Sequence, residues 1–354
     1  MKSISNKNSL SKKISAVDLF CGAGGLTHGL IKSGVNVVAG YDIQNICKYA
    51  YEKNNPGAEF INKDVQELSG DEIQALYPKG HFRLLAGCAP CQPFSKYSHG
   101  RDVENDKKWP LLYAFSRLIE EVMPDLVTME NVPEVTRHQV YHDFVSQLED
   151  LGYKVWAKKI FCPDYGMPQS RNRHVLLASK IGEVELIKPT HRPNKYRTVR
   201  QAIGKLPPIS AGEQCKKDKL HMSAGLSPLN LKRIKKSIPG GTWRDWPESL
   251  RAECHKKSSG RGYVSVYARM IWDEPSPTIT TQSYGFGNGR FGHPEQHRAI
   301  SLREAAVLQT FPKSYKFVPP KEKVNMSAIG TMIGNAVPVR LGKVIGKSFC
   351  SHIS

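Results

Sequence analysis

The chain has 354 residues, 40% of them apolar and 23% charged, an ordinary globular composition with enough length for one large core and a smaller one without staples. No apolar run approaches the ~18 residues of a membrane span. Residues 1–15, rich in Lys, Ser and Asn, lack the apolar stretch of a secretory signal and read as a short lead-in to a cytoplasmic protein. The net charge of +19 bears on partners rather than on fold.

That charge is unevenly placed. Residues 191–270 carry 18 Lys/Arg against 5 Asp/Glu, so one segment holds most of the excess. Polyanion binding driven by counterion release is the favoured reading, and a solvated basic surface is the plain alternative. The eight cysteines have irregular spacing and suit reduced thiols, not a disulfide framework. Cys88 and Cys91 form a lone CxxC with no second pair at zinc spacing, so no metal is expected.

In chain order, residues 14–20 predict a short apolar strand running into a Gly-rich turn. A helix over 26–33 stops at Gly34, a strand follows over 35–41 and a helix over 43–53. Residues 83–87 form a further apolar run, 111–122 a helix, 126–129 a buried strand after Pro124, and 141–151 a helix stopped by Gly152. Strands are expected over 153–161 and 174–178. This alternation predicts an α/β, doubly wound and mostly parallel sheet. It fails between 185 and 297, where Pro, Gly and Lys crowd and a separate loop-rich unit is expected. Order returns with Ser301–Glu304, a capping box before a helix over 305–309, and a last helix follows Pro338. The boundaries are therefore 1–184 for a catalytic and ligand-binding domain, 185–297 for the second unit, and 298–354 for a return to the first domain.

Four short segments point to chemistry. Asp18-Leu-Phe-Cys-Gly-Ala-Gly-Gly25 is a Gly-rich turn between strand and helix, where a nucleotide-like ligand can approach the backbone. Thr27 stands where a dinucleotide fingerprint needs its third Gly, which favours an adenosine ligand without pyrophosphate. Asp42 ends the second strand where a carboxylate meets ribose hydroxyls; a solvated strand-end Asp suits the position equally. Asp64 follows the run around Ile61, within reach of an adenine amino group or simply in a turn. In Gly87-Cys-Ala-Pro-Cys-Gln-Pro-Phe-Ser95, Cys91 sits on a Pro-bounded loop at a strand end and is set out for reaction. Glu130-Asn-Val132 puts a carboxyl at another strand end, and Gln169-Ser-Arg-Asn-Arg173 puts two guanidiniums at i and i+2.

In this order, and with Gly334-Asn-Ala-Val-Pro338 near the C-terminus, these segments resemble the cytosine-5 DNA methyltransferases over about residues 14–180 and 298–347. The resemblance implies a class I S-adenosylmethionine-dependent methyltransferase, Rossmann-like, with a smaller target-recognition domain. It implies S-adenosyl-L-methionine as cofactor and a flipped cytosine in duplex DNA as substrate. Cys91 then matches the nucleophile that attacks carbon 6, Glu130 the group contacting ring nitrogen 3, Arg173 the arginine near the base carbonyl, and Arg171 the arginine supporting the loop. Phe20, Gly22, Gly24, Asp42, Ile43, Asp64, Val65, Pro90, Leu111, Asn335 and Val337 match family positions that contact the cofactor. Ser95 and Ser98 follow the nucleophile on a loop expected to close over the base, and Arg261, Arg269, Thr280, Thr281 and Arg290 are candidates for DNA contact. By family analogy the protein is a monomeric bacterial modification enzyme with a cognate restriction endonuclease. An RNA methyltransferase, a non-catalytic module that kept the fold, and a Rossmann oxidoreductase are the rival readings.

Overall fold

The computed structural model describes residues 13–90, 109–260 and 262–354. Strand β1 (Ile14–Leu19) leads into helix α1 (Gly25–Ile31), strand β2 (Asn36–Asp42), helix α2 (Lys48–Asn54) and strand β3 (Glu59–Asn62). Helix α3 (Gly70–Gln74), strand β4 (Phe82–Gly87), helix α4 (Trp109–Val122), strand β5 (Leu126–Asn131), helix α5 (Gln139–Asp150) and strand β6 (Lys154–Phe161) continue the alternation. A two-residue strand β7 (Gln169–Ser170) precedes the long strand β8 (Asn172–Ser179).

The main sheet has seven strands in the order β3-β2-β1-β4-β5-β8-β6. Only β8 runs against its neighbours, pairing antiparallel with both β5 and β6. All six residues of β1 and all six of β5 are buried, as expected of interior strands covered by helices on both faces. The edge strand β6 instead exposes Lys158 and Lys159, charges that discourage pairing with another chain. The sheet is mostly parallel, as the alternating runs predict and in keeping with the Rossmann-like fold that the resemblance implies.

The order change lies between β1 and β4, the point where open α/β sheets bind ligands beyond the carboxyl ends of their strands. Because β8 is antiparallel, its beginning lies at that same edge: Glu130 pairs with Val175 and Asn131 with His174. Residues just before His174 are thereby brought beside the end of β5.

The second unit contains helix α6 (Val199–Ile203), the hairpin of β9 (Gln214–Cys215) and β10 (Asp218–Met222), helix α7 (Pro228–Lys236), helix α8 (Glu253–Lys256) and strand β11 (Ser276–Pro277). Its first part, through Val199, Ile203 and Leu220, packs into the main core. A small core of its own gathers Ile234, Trp243, Trp246, Phe286 and Ala299. There Arg233 lies over the rings of Trp246 and Tyr267 (5.7 and 5.4 Å), and Trp243 stacks on His255 at 4.3 Å. Strand β11 pairs with β7, tying the unit back to the catalytic domain.

Helix α9 (Leu302–Leu308) starts in the expected capping box: Ser301 accepts from the Glu304 N–H while the Glu304 side chain accepts from the Ser301 N–H. Helices α10 (Met326–Asn335) and α11 (Val339–His352) follow, and α11 packs along α1. The helices touch backbone to backbone. A Cβ on Gly29 would stand 2.3 Å from the Val339 carbonyl, so a larger residue there would force the two apart.

Candidate active site at the carboxyl edge of the sheet

The left half of this edge is shaped by backbone. Beyond β1 the chain turns through Phe20 (φ 58°), Gly22 (φ 51°) and Gly24 (φ 83°). Left-handed φ is natural for glycine and rare for a residue such as Phe20, so the turn is locally strained. The Gly22 N–H donates to Asp42 Oδ2 at 2.8 Å, and the Gln44 N–H donates to Asp42 Oδ1 at 2.8 Å. Burial pushes the Asp42 carboxyl above its ordinary range, and these two N–H donors pull it part of the way back. A Cβ on Gly22 would meet nothing within 4 Å, so the turn faces open space beside this carboxylate.

Asp64 ends the next strand connection, where its Oδ1 accepts from the Gln66 N–H at 2.9 Å. Ile43 is 65% exposed although apolar, while Val65 beneath it in sequence order is buried. Leu111 and Pro90 are half-buried and Asn335 is exposed. Val337 is buried, and its carbonyl packs against Gly25, the first residue of α1, where a Cβ would lie 2.3 Å away. The structure thus draws Ala336 and Val337 to the glycine turn across more than 300 residues of chain, with Asn335 next to them in the sequence.

The right half is held by side chains. Glu130, 4% exposed at the end of β5, has Arg173 Nε 2.8 Å from its Oε1. On the other side the Cys88 thiol donates to Glu130 Oε2 at 2.9 Å. The Asn131 amide donates to the Ala89 carbonyl at 3.2 Å, which fixes β5 against the chain just beyond β4, two positions before Cys91 in the sequence. Arg173 in turn donates from Nη1 to the Asn172 carbonyl at 2.7 Å. The carboxylate is therefore oriented by a guanidinium and a thiol at once, a fixed acceptor at the lip of the sheet.

Arg171 plays a different part. It is buried and donates to the Ile279 carbonyl at 3.0 Å, while Gln169 accepts from the Ile279 N–H at 2.8 Å and donates to Gln309 Oε1 at 2.9 Å. One short segment so joins β7, the 279–281 stretch of the second unit and α9. Two nearby groups are removed from chemistry by burial: the Cys162 thiol is pushed up to about 12, and the His174 imidazole, bonded to the Tyr141 hydroxyl at 2.8 Å, is pushed down to about 4.

Cys91, Ser95, Ser98 and Arg261 lie outside the described residues. Of the other candidates for DNA contact, Arg290 is exposed, and Thr280 and Thr281 are half-buried where their backbone packs on Gly334 of α10. Arg269 corrects an expectation. It is 3% exposed and donates to the carbonyls of Ser237 (3.0 Å), His293 (2.6 Å), Gln296 (2.7 Å) and Ile234 (2.8 Å). Its guanidinium staples the second unit from inside and presents no face to a phosphate. Cys88 and Asn131 escaped the sequence reading. The first was weighed only as half of a CxxC, and the second only as part of a signature; their adjacency to Glu130 and Ala89 was the missing signal.

A family model described as C-5 cytosine-specific DNA methylase matches residues 14–351. The chain is 55% identical over 335 residues to the Type II methylase M.HgiDII of Herpetosiphon aurantiacus, covering 94% of each chain. It is 32% identical to the Type II methyltransferase M1.HphI of Haemophilus parahaemolyticus, over 94% of this chain and 85% of that one. Among solved structures, the methyltransferase EhMeth of Entamoeba histolytica superposes with a TM-score of 0.65 at 15% identity, over 97% of this chain and 99% of that one.

Proposed function

Because the chain belongs to the C-5 cytosine-specific DNA methylase family and is a DNA (cytosine-5-)-methyltransferase, we propose that its methyl donor is S-adenosyl-L-methionine and its target a cytosine flipped out of a short duplex sequence. The observation that carries this reading is the Glu130 carboxylate at the end of β5, held between Arg173 and Cys88, which stands three positions before Cys91 in the sequence. Flipping is needed because a stacked base hides its ring, and it costs a few kcal/mol, about what one good protein contact set returns.

The cofactor fits the left half of the site. Gly22 leaves an open approach to backbone, Asp42 offers a carboxylate to ribose hydroxyls, and Asp64 stands one strand further for an adenine amino group. Phe20, Gly24, Ile43, Val65, Pro90, Leu111, Asn335 and Val337 would complete the walls. The exposed Ile43 gains a purpose as an apolar cover for the adenine. When bound, S-adenosyl-L-methionine supplies an electrophilic methyl on a sulfonium.

The chain's own residues do the rest. The Cys91 thiol loses its proton to solvent and its sulfur bonds to carbon 6; the carbon 5–carbon 6 π bond opens, and its electron pair makes carbon 5 nucleophilic. Glu130, carrying a proton in the complex, donates to ring nitrogen 3 and accepts from the exocyclic amino group, which offsets the charge pushed onto the ring, while Arg173 holds both Glu130 and the base carbonyl. After methylation the carbon 5 proton leaves to a base, and the electron pair returns to expel the Cys91 sulfur. Arg171 keeps this segment fixed to residue 279.

Residues 185–297 form the target-recognition domain, flanked by the catalytic parts 1–184 and 298–354. Thr280, Thr281, Arg290 and Arg261 face the duplex, and Ser95 and Ser98 belong to the loop over the flipped base. The protein works as a monomer in a bacterial cytoplasm, protecting host DNA from a cognate endonuclease. The test is transfer of labelled methyl to unmethylated genomic DNA, followed by bisulfite sequencing. Wild-type protein should modify cytosine in one short sequence and Cys91→Ala should not; modification by Cys91→Ala, or transfer to tRNA in place of DNA, would sink the reading.

A further inference from the structure

Beneath the glycine turn lies a bed of polar side chains that the reaction itself does not use. Tyr315, in the segment between α9 and α10, is 1% exposed, and its hydroxyl donates to the Ala23 carbonyl at 2.5 Å. The N–H of the same peptide, that of Gly24, donates to the Cys21 carbonyl at 2.9 Å. Both polar ends of the Ala23–Gly24 peptide are therefore tied, one by the turn and the other by a residue 292 positions away. Asn55 donates to the Tyr315 oxygen at 3.4 Å, and His28 meets its ring edge-on at 5.2 Å. A Cβ on Gly24 would stand 2.5 Å from Asn55 Nδ2 and 3.1 Å from the Tyr315 oxygen, so the turn rests directly on this bed. Burial raises the Tyr315 hydroxyl well above its ordinary range, which keeps it protonated and a donor.

We infer that Tyr315 is a positioning residue for the cofactor turn: it fixes the plane of the Ala23–Gly24 peptide and thereby sets the backbone surface that the cofactor meets. This rests on the reading of that turn as the S-adenosyl-L-methionine site. The ring of Tyr315 also packs on Phe311 and Phe317, at 4.7 and 5.1 Å. Removing the hydroxyl alone therefore separates its two jobs. Tyr315→Phe keeps the packing and leaves the buried Ala23 carbonyl without its donor, free to rotate out of place.

The experiment measures S-adenosyl-L-homocysteine binding by calorimetry, alongside steady-state kinetics and thermal melting. Tyr315→Phe should weaken binding about tenfold, equivalent to about 1.4 kcal/mol. It should raise the cofactor KM by the same factor and leave kcat at saturation and the DNA KM within about twofold. Phe317→Leu, which trims the same aromatic cluster without touching the turn, should lower the melting temperature and leave binding unchanged. Wild-type-like binding by Tyr315→Phe would overturn the inference alone, as would equal weakening by Phe317→Leu. Failure of the wild-type protein to bind S-adenosyl-L-homocysteine would instead overturn the cofactor reading beneath it.

Discussion

The two halves of the catalytic edge are built by opposite means. On the left a turn and a carboxylate 20 residues apart make the surface, with one backbone N–H reaching one side chain at 2.8 Å. On the right, side chains from β5, β8 and the residue that follows β4 converge, and Glu130 depends on partners 42 residues before it and 43 after it. A backbone-shaped pocket follows from local sequence. A side-chain-held carboxylate depends on strand register, because a slip of one residue turns Arg173 to the opposite face.

The largest effect that would sharpen this contrast is on chemistry alone. Glu130→Gln should lower kcat by about 10²–10⁴-fold and leave S-adenosyl-L-homocysteine affinity unchanged. A parallel loss of affinity would show that the halves are not separable. Next comes the underside of the left half. Asp18 is buried, with its Oδ2 accepting from Thr27 at 2.6 Å, and burial raises its carboxyl to about 7. A raised carboxyl gives stability that is present below its unfolded value of 3.8 and is lost as pH rises through about 7. Asp18→Asn should therefore match the wild type near pH 4 and exceed it at pH 8, by up to about 4 kcal/mol. Melting curves at the two pH values check this, and a wild type that gains on the variant with pH would refute it.

Smaller effects probe the seams. A Cβ on Gly334 would lie 2.2 Å from the Thr281 nitrogen, where α10 meets the second unit. Gly334→Ala should cost about 1–3 kcal/mol of stability in denaturant titrations. Cys88→Ala should lower kcat about tenfold, the scale of one hydrogen bond to a charged group, and Cys88→Ser should recover most of the loss. A neutral Cys88→Ala would reduce the thiol to a spectator. Least of all, Arg290→Ala should reduce the slope of log affinity for DNA against log salt by about 1, without altering the methylated sequence.

Legibility in the sequence followed the same division. Continuous apolar runs marked β1, β2, β4, β5 and β8, because strands inside a sheet covered on both faces are buried on both sides. Asp42 could be placed by its distance from the glycine turn, and the capping box at Ser301 by local spacing. The packing of Val199, Ile203 and Leu220 into the main core was not legible, because short elements without periodicity do not announce their partners. Arg269 was misread for a related reason: its charge is visible in sequence, while the four carbonyls that surround it come from residues 234, 237, 293 and 296. Cys88 and Tyr315 act on residues 42 and 292 positions away, which no spacing rule encodes.

The reversed strand β8 has a consequence for how the enzyme comes into being. A chain that has closed only β1 to β3 already owns the Gly22–Asp42 contact, whereas Glu130 acquires Arg173 only after β8 has folded back between β5 and β6. Loop closure makes distant pairings slower than local ones. During refolding, hydrogen-exchange protection of the Gly22 N–H should appear before that of the residues of β8, and simultaneous protection would contradict this order. An incompletely folded molecule would then own the Gly22–Asp42 contact while it still lacked both the Tyr315 support beneath the turn and the Arg173 partner of Glu130, so the two halves of the site are completed together by the late-folding parts of the chain.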